Sequence, residues 1–488
     1  MSEDKSQKPR SLTQKAVSGA TWTGASSALT QAISLLGTLV LARLLTPEDY
    51  GLVGMARLAI GLIAIFRELG TTAAIIQRKQ LSQEFLSSVF WANLGLAAVT
   101  FVFAIATSPM VALFFHQSKI GPIVQLLAVG FIVSALSSVP SALLNREMAF
   151  RKVMMIETGS AGFATCLAVG MALRGAGVWS LVVSSLASTC VTTVFLWWSC
   201  PWRPKWLLSW TELRSIASFS LNLSGFNLVN YFSRNADNTI VGRYLGAYQL
   251  GFYQLAYNVM LYAVQNISQV MGRVLFPVFA KVQDDNERFR QAYTKAVSTI
   301  AVVTFPMMAG VMAVADPFVR AVLGEKWHPV ASLLVILAPV GLMQSVVTTV
   351  GNIYYAKGRA DWLFRWGLLG TAVSVGSFFA GLPWGIRGVA VGYLIANLLL
   401  IYPAFAVPFR LIDMKMGDFL RPLWPILGFS IVMLVTVRTL GFLLRLEKPA
   451  EQLAILVPAG VLVYGSLLFL VRPVAVVSLL SIRQRSAN

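Results

Sequence analysis

Residues 219–240 combine the length of a membrane-spanning helix with the side chains of a polar binding surface. Successive residues of an α-helix turn by about 100°. Five of the seven polar residues of this segment therefore share one face about 100° wide, and only Asn222 and Asn235 are not counted among them. A charged side chain at the centre of a bilayer costs ~3 kcal/mol or more unless it faces water, a partner or protein. The pattern therefore predicts that this helix lines a polar cavity and that the other helices surround it. The polar residues of the segment are Asn222, Asn227, Asn230, Arg234, Asn235, Asp237 and Asn238.

Two further groups of polar residues occur in apolar surroundings. Gln254, Asn258, Gln265 and Gln269 fall within about 60° of arc on the following helix, and Arg57 lies inside the second apolar stretch. We expect both groups to line the cavity. The alternatives are interhelical hydrogen bonds for the amides and extension of Arg57 toward the membrane interface.

The two charged residues of the segment 219–240 also have a simpler interpretation. Arg234 and Asp237 are three residues apart, which is the spacing of an ion pair within one helix. Asp237 is in addition a candidate for a cation or proton site.

The composition is that of a polytopic membrane protein. Hydrophobic residues make up 57% of the 488 residues and charged residues 12%, against roughly 25% charged residues in soluble domains. The apolar stretches predict about 14 transmembrane helices of the ~20 residues that spanning requires. They lie near 16–40, 51–76, 85–107, 122–144, 153–173, 177–198, 215–238, 247–275, 291–315, 329–353, 361–382, 387–408, 422–441 and 452–471.

The distribution of basic residues orients these helices. With a cytoplasmic amino terminus, 23 of the 39 lysines and arginines fall on the cytoplasmic side and 10 on the other. This bias predicts an N-in/C-in topology. It also explains the net charge of +19 without nucleic acid, since the basic residues are spread over short loops beside anionic lipid.

Two parts of the chain resemble each other at an offset of about 200 residues. Arg43 aligns with Arg243 and Gly51 with Gly251, and further matches follow in the same order. The sequence therefore predicts two parallel-repeat six-helix lobes, with two C-terminal helices added. The predicted domains are 1–200 for the first lobe, 201–214 for an interfacial linker, 215–410 for the second lobe and 411–488 for the two added helices and a basic tail.

The segment 199–214 carries tryptophans at every fourth position. Trp202, Trp206 and Trp210 stand beside Arg203 and Lys205. This spacing predicts a short helix that lies in the headgroup region of the membrane.

Four segments of the chain resemble one family of membrane proteins. They are ARLLTPEDYGLVGMA (42–56), NREMAFRK (145–152), NADNTIVGRYLGAYQLGFYQLAYN (235–258) and LGEKWHPV (323–330). They are similar to segments of Wzx-type polysaccharide flippases of the multidrug/oligosaccharidyl-lipid/polysaccharide (MOP) exporter superfamily, in particular the colanic acid and exopolysaccharide branch.

The resemblance implies a function in the bacterial inner membrane. The expected activity is translocation of undecaprenyl-pyrophosphate-linked oligosaccharide repeat units for exopolysaccharide, capsule or O-antigen biosynthesis, by alternating access of a polar central cavity. Arg234 and Arg57 are the residues to which the resemblance assigns attraction of the pyrophosphate. Expected partners are membrane lipid and the polymerase and export components of the same pathway, and no cofactor is implied.

Other classes of protein fit the sequence less well. A drug or cation antiporter of the same fold needs a deep carboxylate, and the first lobe offers little beyond Glu68 and Glu157. A membrane-embedded glycan-assembly enzyme needs a catalytic acid in a far-side loop, where only Asp316 and Glu325 stand between helices nine and ten. The chain contains no nucleotide-binding G-x-x-x-x-G-K-[ST] motif, and His116 and His328 are too far apart in sequence to suggest a metal site. We therefore predict a transporter and not an enzyme.

Overall fold

The computed structural model describes residues 29–66, 75, 78, 80–444 and 447–471, without the side chains of 215–227, 229, 262–278 and 280–281. Every regular element in these ranges is helical. The principal helices are α1 (Leu29–Leu44), α2 (Pro47–Ile65), α3 (Gln83–Phe115), α4 (Ile120–Arg146), α5 (Phe150–Leu173), α6 (Val178–Ser199), α7 (Trp210–Lys281), α8 (Asn286–Phe318), α9 (His328–Val347), α10 (Gly351–Ala356), α11 (Ala360–Gly381), α12 (Gly385–Phe409), α13 (Met416–Leu420), α14 (Leu423–Leu444) and α15 (Pro449–Val471).

Several helices begin at side chains that cap their free N–H groups. Thr46 and Asp49 form a capping box at the start of α2, with Pro47 at its first position. Ser82 accepts a hydrogen bond from Phe85 N at the start of α3, and Asp285 accepts two at the start of α8. Each cap satisfies donors that the first helical turn leaves without partners.

The described chain divides into an N-terminal unit, Met1–Asn235, and a C-terminal unit, Ala236–Asn488. In the N-terminal unit, α4 packs against α3 and α6, and α5 packs against α6. Ala97 and Ala104 of α3 meet Ala128 and Ala135 of α4 in one buried cluster. Small side chains let membrane helices approach closely, so that van der Waals contact stabilises the pair.

The C-terminal unit has an aromatic core. α8 packs against α9 and α14, and α12 packs against α9 and α11. Tyr293 belongs to a large buried cluster with Phe289, and its ring contacts those of Phe409 and Phe419. Trp327 is fully buried in the same unit.

Helix α7 contains 72 residues and is interrupted at Gly246, whose φ of 82° and ψ of 176° are not helical. A positive φ is accessible to glycine without the steric conflict that a Cβ atom causes. The break separates the two helices that the sequence predicted over 215–238 and 247–275.

The prediction of an all-α polytopic membrane protein is confirmed. Within the described ranges, nine helical segments are long and apolar enough to cross a membrane, and one of them, Ala360–Phe409, contains both α11 and α12. Helix α7 is outside this set because its polar residues lower its mean hydropathy. The total of 14 helices, the N-in/C-in topology and the domain boundaries stay predictions.

The predicted short helix over 199–214 is wrong. Residues 200–209 are not helical, and α7 begins at Trp210. The physical reason is the pair Pro201 and Pro204, since proline lacks the N–H donor and restricts the residue before it. The tryptophans nevertheless order the segment, because Trp206 stacks on Trp91 of α3 with ring centroids 4.1 Å apart.

Candidate functional site

Arg57 stands at a pocket inside the N-terminal unit. The residue lies midway along α2 and its side chain is exposed. The pocket has a volume of about 240 Å³ and is bounded by α2, α4 and α6. Besides Arg57 it is lined by Ile60, Leu127, Gly130, Phe131, Ser134, Ser185, Leu186 and Thr189.

The polar groups around Arg57 are hydroxyls. Ser134 Oγ donates to the Gly130 carbonyl oxygen at 2.6 Å, and Thr189 Oγ1 donates to the Ser185 carbonyl oxygen at 3.1 Å. Each of these hydroxyl groups directs its proton at the backbone of its own helix, so its oxygen retains the capacity to accept a hydrogen bond. Among the described side chains no carboxylate lies within ion-pair distance of Arg57. The pocket therefore combines a cation that has no described carboxylate partner with hydroxyl oxygens that can accept hydrogen bonds.

The first half of α7 contacts α2 one turn from Arg57. Tyr231 donates a hydrogen bond from its hydroxyl to the Leu58 carbonyl oxygen at 2.7 Å. The ring lies against Gly61, where an added Cβ atom would come within 2.5 Å of the tyrosine oxygen. Arg57 and Gly61 are four residues apart and share a face of α2. The absence of a side chain at Gly61 thus lets α7 pack beside the face that carries Arg57.

Asn230 and Arg234 are both exposed on this half of α7. In the described part of the chain, Arg234 has no carboxylate within ion-pair distance. The ion pair with Asp237 that its spacing allows is therefore not formed. Arg234 and Arg57 thus share a property that a membrane-embedded anion would require, which is a guanidinium without a carboxylate partner among the described residues.

Asp237 and Asn238 belong to the interior of the C-terminal unit. Their exposed fractions are 3% and 8%. Asp237 Oδ2 accepts a hydrogen bond from the Tyr253 hydroxyl at 3.1 Å, and Asp237 Oδ1 accepts from Asn238 N at 2.7 Å and Asn238 Nδ2 at 3.1 Å. The Oδ1 atom of Asn238 is buried and has no hydrogen-bond partner among the described atoms.

Uncharged aromatic and amide groups extend this buried cluster. Tyr253 stacks on Tyr257 with centroids 5.9 Å apart, and Tyr257 lies 6.4 Å from Tyr393. Gln344 of α9 donates to the Tyr393 hydroxyl. The partners of the Asp237 carboxylate are thus neutral donors. Buried polar networks of this kind are strengthened by the low local dielectric.

The other predicted residues are distributed as follows. Gln254 is half-buried and Asn258 exposed on the second half of α7, and Glu157 is exposed on α5. The side chains of Asn227, Gln265 and Gln269, and the whole of Glu68, lie outside the described residues. Within the described ranges there is no group of three or more His, Cys, Asp or Glu residues that could hold a metal ion.

Sequence reasoning missed the tyrosines and the hydroxyls of this arrangement. The sequence pattern gave no role to Tyr231 or Tyr253, although Tyr231 falls within the polar segment 219–240. Ser185 and Thr189 are four residues apart and so share one face of α6, which was the available signal for a polar surface in the N-terminal unit.

Comparison with known proteins shows the family to which this chain belongs. Residues 40–332 match the family model described as polysaccharide biosynthesis protein. The lipopolysaccharide biosynthesis protein WzxC of Escherichia coli K12 is 30% identical over 447 residues, which are 89% of each chain. The succinoglycan biosynthesis transport protein ExoT of Rhizobium meliloti is 28% identical over 74% of this chain and 73% of its own. Among solved structures, lipid II flippase MurJ in an inward closed conformation superposes with a TM-score of 0.75 over 91% of this chain and 97% of MurJ, at 15% identity. The likeness to MurJ shows that the two chains share a fold, and the sequence matches show that this chain belongs to the polysaccharide biosynthesis protein family.

Proposed function

We propose that the chain translocates polyprenyl-pyrophosphate-linked oligosaccharide units across the inner membrane for polysaccharide biosynthesis. The observation that carries the proposal is Arg57, an exposed guanidinium without a described counter-ion, at a pocket to which Ser134, Ser185 and Thr189 contribute hydroxyl groups. The family assignment supports the same activity, since ExoT is named a transport protein and MurJ a flippase.

Each part of the substrate has a suitable counterpart in the chain. Arginine pairs with phosphate oxygens through two parallel N–H donors, and Arg57 and Arg234 are the proposed contacts. The hydroxyl oxygens of Ser134 and Thr189 and the amide of Asn230 suit the hydroxyl groups of a glycan. The polyprenyl tail can remain in lipid throughout, so only the polar head requires a hydrated path. We propose alternating access as the mode of transport.

Asp237 favours a second candidate function, namely transport coupled to a proton or cation. A buried carboxylate surrounded only by neutral donors is costly unless a proton or a cation neutralises it. The Asn238 Oδ1 atom beside it is an acceptor without a described partner. This is the deep carboxylate that a drug or cation antiporter of the same fold would need, and the same group could couple flippase activity to an ion gradient.

The test is to delete the gene and to extract the polyprenyl-linked glycans of the host. We expect complete pyrophosphate-linked repeat units to accumulate facing the cytoplasm and to disappear when the intact gene is restored. Accumulation of incomplete units would indicate an enzyme of glycan assembly. An unchanged glycolipid pool with altered drug or cation tolerance would indicate the antiporter.

Substitution of Arg57 then tests the site itself. Arg57→Ala should abolish complementation, whereas Arg57→Lys should retain part of it, because lysine keeps the charge but loses the two-pronged geometry. Arg365→Ala is the matched control, since Arg365 is an exposed arginine within the apolar helix α11 and has no assigned role. Normal polysaccharide output from Arg57→Ala would refute the role of this residue.

A further inference from the structure

A pocket in the C-terminal unit has walls of exposed aromatic rings. Its volume is about 570 Å³. Tyr244 and Tyr248 flank the break of α7 at Gly246, and Trp384 stands in the turn that joins α11 to α12. Their exposed fractions are 58%, 52% and 74%. The residues assigned to the translocation path include none of the three.

Edge-to-face contacts position the two tyrosine rings, one with the buried Phe252 and one with the exposed Phe379. The Tyr248 ring meets Phe252 at a centroid distance of 4.8 Å and an interplanar angle of 80°. The Tyr244 ring meets Phe379 at 6.0 Å and 75°. Such edge-to-face pairs are a preferred aromatic geometry, so both rings are positioned before any ligand binds.

The backbone holds Trp384 in place. A Cβ atom on Gly381 would lie 2.2 Å from the Gly388 carbonyl oxygen, so the two ends of the turn touch backbone to backbone. Gly385 has a φ of 66°, a conformation that residues with a side chain rarely adopt. The tryptophan is therefore presented by a closely packed turn.

Two polar side chains complete the pocket. Arg387 donates from Nε to Ser332 Oγ at 3.2 Å, and no described carboxylate lies within ion-pair distance of it. This bond orients the guanidinium and leaves its terminal N–H groups for a ligand. Gln249 is half-buried in the wall and supplies an amide donor and an acceptor.

We infer that this pocket is a saccharide-binding site that receives the glycan of the translocated unit, an inference that rests on the proposed function. A sugar ring has an apolar C–H face and a rim of hydroxyl groups. The aromatic faces of Tyr248 and Trp384 suit the first, and the donors of Arg387 and Gln249 suit the second. A largely apolar cavity with a few placed polar groups is the usual form of a specific binding site.

The predicted topology gives the site a direction. The segments around Tyr244, Pro329 and Trp384 all belong to loops that the basic-residue distribution assigns to the far side of the membrane. Their meeting in one pocket is consistent with that assignment. The site therefore contacts the glycan on the side where the unit is released.

Tryptophan and tyrosine also serve as anchors at membrane interfaces. The positions of the side chains in this pocket distinguish ligand binding from membrane anchoring. An anchor needs only contact with headgroups and has no need of a partner ring or donor. Here three exposed rings, an arginine without a described carboxylate and an amide converge on one concavity. Convergence is a property of a ligand site.

The experiment measures binding of a lipid-free glycan to the purified full-length chain. The probe is the oligosaccharide that mild acid releases from the polyprenyl-linked units of the host, and the readout is titration calorimetry. Trp384→Ala should raise Kd at least about tenfold, or about 1.4 kcal/mol, and Arg387→Gln should weaken binding in the same direction. Trp198→Ala, at a tryptophan that is 80% exposed on α6, should stay within about twofold of wild type.

The outcomes separate this inference from the proposed function. If the deletion strain accumulates lipid-linked units but the chain binds no released oligosaccharide, the site is refuted and the flippase activity stands. Equal binding by wild type and Trp384→Ala, with both variants eluting as folded protein, also refutes the site. A deletion strain that accumulates no such units refutes the proposed function and this inference with it.

Discussion

Replacement of Gly61 by alanine should disrupt the contact between α2 and the first half of α7. The added Cβ atom would lie 2.5 Å from the Tyr231 hydroxyl oxygen, 2.9 Å from Cε2 and 3.0 Å from Cζ. The ring cannot shift without loss of the 2.7 Å hydrogen bond from its hydroxyl to the Leu58 carbonyl oxygen. One added methyl group therefore disturbs both the packing of the tyrosine ring and its hydrogen bond.

The size of the effect follows from three contributions. Overpacking of a close contact costs about 1–3 kcal/mol, and loss of one hydrogen bond costs about 0.5–1.5 kcal/mol. Alanine recovers about 1 kcal/mol relative to glycine inside a helix. We expect a net destabilisation of about 1–3 kcal/mol together with reduced transport, because Arg57 and Arg234 lie on the two helices that this contact joins.

The assay compares thermal unfolding of purified variants in one detergent with polysaccharide production in the deletion strain. Gly95→Ala is the matched control, since no atom lies within 4 Å of a Cβ atom added there, and it should leave stability unchanged or raise it. Tyr231→Phe in the Gly61→Ala background removes the closest atom and should restore part of the stability. Equal unfolding temperatures for Gly61→Ala and Gly95→Ala would refute the packing argument.

Three further experiments test other parts of the structure. Asp237→Asn should leave a folded protein, because the amide oxygen can still accept from Asn238 and the amide NH2 can donate to the Tyr253 hydroxyl oxygen, and should reduce ion-coupled transport at least about tenfold; unchanged uptake under a proton or sodium gradient would exclude a coupling role. Trp327→Ala should destabilise the chain by about 3–5 kcal/mol since the residue is fully buried, whereas Trp198→Ala should have little effect on the unfolding temperature. In a cysteine-free background, Asn230→Cys should react with a water-soluble thiol reagent and Phe232→Cys should not, although both positions are exposed; the reverse pattern would place the polar stripe against lipid or protein.

Helical periodicity predicted which residues share the polar face of α7 but not what that face contacts. Arg234 is exposed while Asp237 is buried against Tyr253. A face about 100° wide is broad enough to include both open space and protein interior, and only the positions of the neighbouring helices separate the two. The helical period therefore identified the candidate cavity residues of α7 but could not predict which of them face open space and which are buried in protein.

The apolar stretch predicted the second helix from residue 51, whereas α2 begins at Pro47 after the Thr46 cap. This cap and Gly246 at the break of α7 are local signals that apolar patterning alone does not include. The contact between Tyr231 and Leu58 spans 173 positions of sequence, so no pattern within either helix could predict it. The helix predicted over 199–214 was wrong although the signal against it is local, because the tryptophan spacing was given more weight than the prolines.

The linker has a practical consequence for work on this chain. By sequence, 199–214 is the longest connection between predicted helices and the natural choice for an inserted tag or a split site. In the structure Lys205 N donates to Ser87 Oγ at 3.1 Å and Ser209 N donates to Ser88 Oγ at 2.8 Å, so the segment is bound along α3. Tolerance to insertion depends on the burial and hydrogen bonding of the affected backbone. A reporter placed there would break the N-terminal unit itself, whereas Lys448, exposed between α14 and α15, has described bonds only to residues at the start of α15 and is the better position for one.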